Sequence, residues 1–148
     1  MKTLVVYYSR SGNTEKAALE KAEEIGADFL QIDTIEDVFG PQGFMKAGKM
    51  TVLGREMILM PYEKDIKEYD RFILCSPIWA GKVSLPMKKF AETEKDNINS
   101  ADYLFTHGGK SMKSKPADEL DKILGIKRGQ YESVQMILKK KLNSEIFI

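Results

Sequence analysis

The chain has few of the residues that build disulfides and metal centres. Among 148 residues there is a single cysteine, Cys75, and a single histidine, His107. One cysteine excludes an internal disulfide and a cysteine-based metal cluster, and one histidine excludes a multi-histidine metal site. Cys75 lies inside an apolar run without a basic setting that would activate its thiol, so the sequence predicts a small buried core residue.

Long hydrophobic runs and a strong net charge are also missing. No apolar stretch reaches the length that spans a bilayer, and the N-terminus enters a strand pattern without the features of a secretory signal. The net charge is +1, which gives no general affinity for nucleic acid or for an anionic membrane. We therefore expect a cytoplasmic protein that binds neither nucleic acid nor membranes.

Strand and helix patterns alternate along the chain. Continuous apolar runs predict strands buried on both faces of a parallel sheet, and apolar residues at helical spacing predict the helices between them. The length and the 43% apolar content fit one domain, residues 1–148, with an α/β fold built on a doubly wound five-stranded parallel sheet. The predicted strands are residues 4–8, 28–33, 71–76, 103–106 and 131–138, and the predicted helices are residues 14–25, 85–94 and 116–124.

Two segments lack a regular pattern. Residues 34–60 combine helix-breaking glycines with apolar side chains, which predicts a loop followed by a helix or irregular structure over one sheet face. Their methionines suit either plain core or a soft wall over a ligand or partner. Residues 139–148 are too short and poorly patterned for a full final helix, so we expect a short tail. One sheet edge would then be less covered and available as a dimer contact.

Small polar residues follow the first predicted strand. Residues 9–14 read Ser-Arg-Ser-Gly-Asn-Thr and lead into a predicted helix. Free backbone N–H groups and partial positive charge at a helix N-terminus suit a phosphate, and short polar side chains add donors without filling the space. Ordinary capping is the alternative, but it needs only one such residue. The predicted phosphate-binding residues are Ser9, Arg10, Ser11, Gly12, Asn13 and Thr14.

The same loop excludes two familiar nucleotide sites. It lacks the Gly-Lys-Ser/Thr of a P-loop and the G-x-G-x-x-G of a dinucleotide fold, which disfavours nucleoside triphosphates and a Rossmann NAD site. The phosphate predicted here therefore belongs to another kind of ligand.

Two more loops follow the third and fourth predicted strands. The carboxyl ends of parallel strands lie at the same end of the sheet, so these loops should converge on the first loop, where ligands of open parallel sheets bind. Trp79, the only tryptophan, suits stacking on a flat ring, with core packing as the alternative. Gly81 allows close backbone approach. His107 suits a ligand contact or a proton relay, or is a plain surface histidine. The other candidates in these loops are Pro77, Ile78, Ala80, Thr106, Gly108 and Gly109.

Together these residues resemble the flavodoxin-like family. Residues 7–14, Tyr-Tyr-Ser-Arg-Ser-Gly-Asn-Thr, are similar to the family's loop for the FMN phosphate, and residues 77–81, Pro-Ile-Trp-Ala-Gly, to the segment beside the isoalloxazine ring. Thr106 with Gly108 and Gly109 matches the third loop. The resemblance extends to about residue 125. It implies noncovalent FMN, the short form of the fold and the strand order 2-1-3-4-5.

The resemblance implies an FMN-binding redox protein that passes electrons to a redox partner protein or to a small-molecule acceptor. A Gly81 peptide that turns toward the ring would stabilise the half-reduced flavin. An FMN-dependent NAD(P)H:quinone oxidoreductase, or one with another small acceptor, is the alternative, favoured by the near-neutral charge and the apolar residues 38–60. A phosphate-ligand module that has lost flavin is a third hypothesis. A monomer and a homodimer are both compatible with the sequence.

Overall fold

The computed structural model describes residues 1–111 and 113–147, which form seven strands and four α-helices. Single 3-10 turns cover Ile66–Glu68 and Lys95–Asn97. In chain order the elements are β1 (Thr3–Tyr7), α1 (Asn13–Ile25), β2 (Asp28–Gln31), α2 (Gly40–Val52), β3 (Arg71–Trp79), β4 (Lys82–Val83), α3 (Leu85–Glu94), β5 (Ala101–His107), α4 (Lys115–Leu124), β6 (Tyr131–Ile137) and β7 (Lys140–Phe147).

The main sheet has the order β2-β1-β3-β5-β6-β7, and β4 pairs with β3 beside this path. The first five strands of that order are parallel, whereas β7 runs antiparallel to β6 and β4 antiparallel to β3. Numbered among themselves, the parallel strands have the order 2-1-3-4-5. The predicted α/β fold and the strand order are therefore confirmed, with two antiparallel strands added.

Helices cover both faces of this sheet. On one face α1 packs through alanines, whose small side chains let the helix approach the strands closely. On the other face α2, α3 and α4 pack around larger apolar side chains. Because helices cover both faces, ligand-binding loops lie at the end of the sheet where the carboxyl ends of the parallel strands meet. The residues buried beneath α1 include Val5, Tyr7, Ile73, Cys75, Leu104, Val134 and Met136, and those of the other face include Phe72, Leu74, Phe90, Phe105 and Leu120.

The third predicted strand does not stop at Pro77. β3 continues to Trp79, so the expected loop 77–83 is a β-hairpin instead. Cys75 O accepts a hydrogen bond from Tyr8 N on the β1 side of the strand. Backbone groups alternate sides along a strand, so Pro77 faces that same side, where β1 has already ended. The missing proline N–H therefore breaks no ladder hydrogen bond.

The C-terminal segment is a strand, and the expected tail is wrong. β7 pairs with β6 from Tyr131↔Phe147 to Ile137↔Lys140. The rings of Tyr131 and Phe147 stack with centroids 5.2 Å apart, which anchors the far end of the hairpin. The edge of β6 is thus covered, and the outer edge of the sheet is β7 in the part of the chain that the structure describes.

The irregular segment contains α2, which begins beside Pro41 and covers part of one sheet face, as expected. A single antiparallel bridge, Thr34↔Leu59, closes the segment at its base. Met57 is buried in the core, as one of the two predictions for these methionines has it, and the predicted wall over a ligand or partner stays a prediction for the exposed Met45. None of the helices within residues 1–111 and 113–147 is long and apolar enough to cross a membrane.

Candidate functional site

The loops after β1, β3 and β5 meet at the carboxyl end of the parallel strands around an open cleft of about 270 Å³. This volume lies just below the range of about 300–1,000 Å³ that is typical of clefts that hold small ligands. Ten of the fifteen predicted site residues line the cleft, whereas Ser9, Gly12, Ala80, Gly81 and Gly109 lie in the same loops outside its lining. The ten are Arg10, Ser11, Asn13, Thr14, Pro77, Ile78, Trp79, Thr106, His107 and Gly108.

The N-terminus of α1 carries no side-chain cap among the described residues. Its N-cap is Gly12, whose φ of 97° is a conformation that favours glycine. The first N–H groups of a helix have no intrahelical acceptor, so those of α1 remain available to a ligand. Plain capping therefore does not explain the polar residues of the first loop. This donor set fits a phosphate group.

Two side chains of the first loop, Ser9 and Thr14, fix its shape. Ser9 Oγ accepts a hydrogen bond from Gly12 N at 3.0 Å. The hydroxyl oxygens of Thr14 and Thr106 lie 2.6 Å apart and join the first loop to the third. One hydrogen is enough for that bond, so the pair keeps a second hydroxyl hydrogen that can be donated to a ligand. The Ser9 hydroxyl accepts here and likewise keeps its own hydrogen.

Arg10 ties the first loop to α2. Its Nη1 donates to Gly40 O at 3.2 Å, and its guanidinium lies 5.2 Å from the centre of the Phe44 ring. Arginine has five N–H donors, so these contacts leave others directed elsewhere. Its predicted contribution to phosphate binding stays a prediction.

Trp79 combines the two roles considered for it. It lines the cleft, yet only 7% of its surface is exposed, and its ring packs edge-on against Tyr8 with centroids 5.6 Å apart. The Tyr8 hydroxyl is buried without a hydrogen-bond partner among the described residues. Burial, with Asp33 as a lesser cause, raises the pKa of Tyr8 to about 12, so the phenol stays neutral at physiological pH.

The tip of the β3–β4 hairpin lies outside the cleft lining. Ala80 and Gly81 form a two-residue turn with φ values of 50° and 78°, the pattern of a type I′ hairpin. At the base of the hairpin, Ser76 Oγ accepts a hydrogen bond from Ser84 N at 3.1 Å. The predicted backbone contacts of Ala80 and Gly81 with a ring stay predictions.

The third loop is held by hydrogen bonds to its carbonyl groups. Gln135 Nε2 donates to Gly108 O at 3.2 Å, and His107 Nδ1 lies 2.9 Å from Gly109 O. A carbonyl oxygen only accepts, so Nδ1 carries the hydrogen and the Nε2 lone pair of a neutral ring is left free. Among the described residues no acceptor binds the N–H groups of Gly108 and Gly109, so these groups are available to a ligand.

Four residues that line the cleft belong to none of the motifs found in the sequence. α2 contributes Phe44, which is 65% exposed, and the end of β6 contributes Met136 and Ile137. Leu138, 87% exposed, belongs to the two-residue β6–β7 turn. Two-residue hairpin turns usually have the sequence Asn-Gly or Asp-Gly, and Leu138-Lys139 does not match this preference. These side chains form apolar walls beside the polar first loop.

Cys75 takes no part in the site. It is fully buried beneath α1, and burial raises the pKa of its thiol, so the predicted core role is confirmed. Within the described ranges no three His, Cys, Asp or Glu side chains are grouped closely enough to hold a metal ion.

Comparison with known proteins gives structural likeness only. No family model matches the sequence, and no curated protein matches it. A flavoprotein from Lactobacillus acidophilus NCFM, solved in complex with FMN, is similar over 90% of this chain and 91% of its own, at 23% identity with a TM-score of 0.73. A flavodoxin from the domain Archaea is 19% identical over 92% and 84%, with a TM-score of 0.58.

An NADH:FMN oxidoreductase, in its apo form, is 16% identical over 95% of this chain and 78% of its own, with a TM-score of 0.51. These likenesses agree with the strand order, the two covered faces and the cleft at the carboxyl edge of the sheet. The chain has the flavodoxin-like fold.

Proposed function

We propose that the cleft binds FMN noncovalently and that the protein transfers electrons through the bound flavin. The observation that carries this proposal is the convergence of three loops on one cleft beside the uncapped N-terminus of α1. An uncapped helix end suits the phosphate, and the neighbouring aromatic and glycine-containing loops suit a flat ring. The flavoprotein of the same fold that was solved with FMN supports the choice of ligand.

Different residues of the cleft would bind the phosphate and the ring of FMN. The first loop, with Ser9, Ser11 and Thr14, would donate hydrogen bonds to the phosphate. Trp79 and the N–H groups of Gly108 and Gly109 would face the ring. FMN supplies the electron chemistry when bound, and the protein positions it and limits access of water and acceptors. The partly apolar walls of the cleft would exclude water from one side of the ring.

A flavin titration tests the binding proposal. Purified protein is mixed with FMN and with riboflavin, and flavin fluorescence and visible absorbance are followed. We expect FMN to bind at least about tenfold more tightly than riboflavin, because a charged phosphate adds hydrogen bonds worth about 1.5–3 kcal/mol each. A protein that binds neither flavin is not a flavoprotein, and affinity for simple phosphate monoesters would then favour the module that has lost flavin.

A reductive titration of the FMN-loaded protein tests the electron-transfer role. Stepwise reduction followed by absorbance should accumulate the one-electron-reduced flavin before full reduction, if the protein is a one-electron carrier to a redox partner. Direct passage to the fully reduced flavin would contradict that role.

A second candidate function is an FMN-dependent NAD(P)H oxidoreductase that reduces quinones or other small acceptors. The exposed apolar side chains of Phe44, Ile137 and Leu138 beside the cleft favour it, because they suit an apolar small molecule. Steady-state oxidation of NADPH and NADH with a quinone distinguishes the two functions. A rate no greater than that of free FMN removes this candidate.

A further inference from the structure

The β6–β7 turn packs directly on the predicted phosphate loop. Lys139 N donates to Asn13 Oδ1 at 2.6 Å, and Lys16 Nζ donates to Lys139 O at 3.0 Å. The Lys139 side chain lies over Gly12, where an added Cβ would be 2.5 Å from Cε and 3.3 Å from Nζ. Both the backbone and the side chain of this turn residue therefore contact the first loop or the first turn of α1.

Lys139 brings a positive charge that the surrounding chain does not neutralise. Lys16 lies 3.9 Å from Glu20, and Lys141 lies 3.9 Å from Glu132. By contrast, no carboxylate among residues 1–111 and 113–147 lies within ion-pair distance of Lys139. The Lys139 side chain and Gly12 lie beside the cleft lining, next to Leu138 and Asn13, which belong to it. An unpaired ammonium beside an uncapped helix N-terminus gives the first loop a locally positive potential.

The first loop itself carries one cation, Arg10. Its serine, threonine and asparagine side chains are neutral, and the guanidinium of Arg10 is turned to Gly40 O and the Phe44 ring. A phosphate monoester carries about 1.5–2 negative charges at neutral pH. A single guanidinium that also binds Gly40 O compensates only part of that charge, and Lys139 is a second cation, whose side chain lies over Gly12.

We propose that Lys139 is a phosphate-binding residue of this site, and the proposal rests on the proposed FMN function. The β6–β7 turn would place its ammonium against the phosphate of FMN, so that an added strand beyond the parallel sheet contributes to cofactor choice. Riboflavin has the same ring but no phosphate, so Lys139 would favour FMN over riboflavin without affecting contacts with the ring.

Experiment can distinguish phosphate binding by Lys139 from a purely structural role of this residue. The contacts with Asn13 and Lys16 use only the Lys139 backbone, so Lys139→Gln keeps both of them and removes the charge alone. Lys139→Arg restores a cation. Lys140→Gln is the matched control, because it removes the same charge one residue further on, from a side chain that is not among the atoms nearest Gly12.

The test measures dissociation constants of FMN and riboflavin for the full chain and the three variants, at low and high salt. Circular dichroism and thermal unfolding show that each variant is folded. For Lys139→Gln we expect FMN affinity to fall about tenfold, as for loss of one hydrogen bond to a charged group, with riboflavin affinity unchanged within about twofold. Its FMN affinity should also lose part of its salt dependence, and Lys139→Arg should recover most of the binding.

The outcomes are distinguishable. Equal effects of Lys139→Gln and Lys140→Gln on FMN, or equal losses of FMN and riboflavin in Lys139→Gln, would overturn the role of Lys139 and leave the FMN proposal intact. An unmodified chain that binds neither flavin overturns both proposals.

Discussion

At the scale of single residues, two buried phenols differ in their surroundings. The hydroxyl of Tyr8 is buried beside Trp79 without a partner in the described part of the chain, whereas Tyr103 OH donates to Asp121 Oδ1 at 2.8 Å. Both side chains are 2% exposed or less. A buried polar group without a partner costs free energy, and a bonded one contributes to stability.

Substitution of these phenols should therefore change stability in opposite directions. Tyr8→Phe removes the unpartnered hydroxyl, and we expect the free energy of unfolding to rise by about 1 kcal/mol. Tyr103→Phe removes a bond to a charged group and should lower it by about 1–2 kcal/mol. Urea unfolding of both variants measures the difference. If Tyr8→Phe is as destabilising as Tyr103→Phe, the Tyr8 hydroxyl has a partner in solution.

Ala80 has a left-handed conformation, with a φ of 50°. Residues with a Cβ adopt this conformation at a cost of roughly 1–2 kcal/mol, which glycine largely avoids. We expect Ala80→Gly to raise the free energy of unfolding by about 0.5–1 kcal/mol, measured by urea unfolding. As a control, Ala17→Gly within α1 should lower it by about 1 kcal/mol, because glycine is unfavourable in a helix interior.

At the scale of elements, the strand β7 lies in the C-terminal segment that was predicted to be a short tail without a final helix. Its burial is slight along most of its length, and Phe147 is its main apolar contact, stacked on Tyr131. Beside the backbone pairing with β6, this stacking is the main apolar side-chain contact that holds β7 on the sheet. Because the β6–β7 turn contacts the first loop, β7 also affects the site.

Removing the anchor should loosen the hairpin. We expect Phe147→Ala to lower the free energy of unfolding by about 2 kcal/mol, through lost burial and ring stacking. Leu142→Ala, in the same strand at a side chain 57% exposed, should cost less than about 0.5 kcal/mol. Urea unfolding compares the two, and hydrogen exchange of β7 amides reports local opening. Equal effects would contradict the anchoring role of Phe147.

At the scale of the whole molecule, several buried tyrosines make the free energy of unfolding depend on pH. The pKa values of Tyr7, Tyr8 and Tyr69 are each raised to about 12, by burial for the first two and by the hydrogen bond to Asp28 for Tyr69. The pKa values of Tyr62 and Tyr103 are raised as well, chiefly by burial. The folded state thus favours the protonated phenols.

Stability should consequently fall in alkali. Unfolded tyrosines lose their protons near pH 10, so the contribution of these phenols is complete below that pH and is lost as pH rises toward about 12. Each such tyrosine lowers the free energy of unfolding by roughly 1.4 kcal/mol per pH unit in this window. Urea unfolding between about pH 9 and about pH 11 measures the slope. Ionisation of all tyrosines near pH 10 with the fold intact would contradict it.

Local patterns predicted the parallel core well and the antiparallel additions poorly. The strand ending at Tyr7 and the helix ending at Ile25 follow from apolar period and capping signals within a few residues. The extension of β3 through Pro77 depends on where β1 ends, which lies far away in sequence. The β7 strand gave no signal, because a largely exposed strand has no clear apolar alternation and its turn lacks Asn and Gly.

By itself the sequence determined the α/β class, the order of the parallel strands along the chain, and the polar first loop that precedes α1. These depend on apolar period, turn residues and free helix N–H groups, which are properties of neighbouring residues. Only the tertiary structure decided that Trp79 is mostly buried against Tyr8, that Phe44 and Leu138 flank the cleft, and that Lys139 lies over Gly12. Such contacts join residues that are distant in the chain. They depend on strand pairing and helix packing, which a pattern of neighbouring residues does not contain.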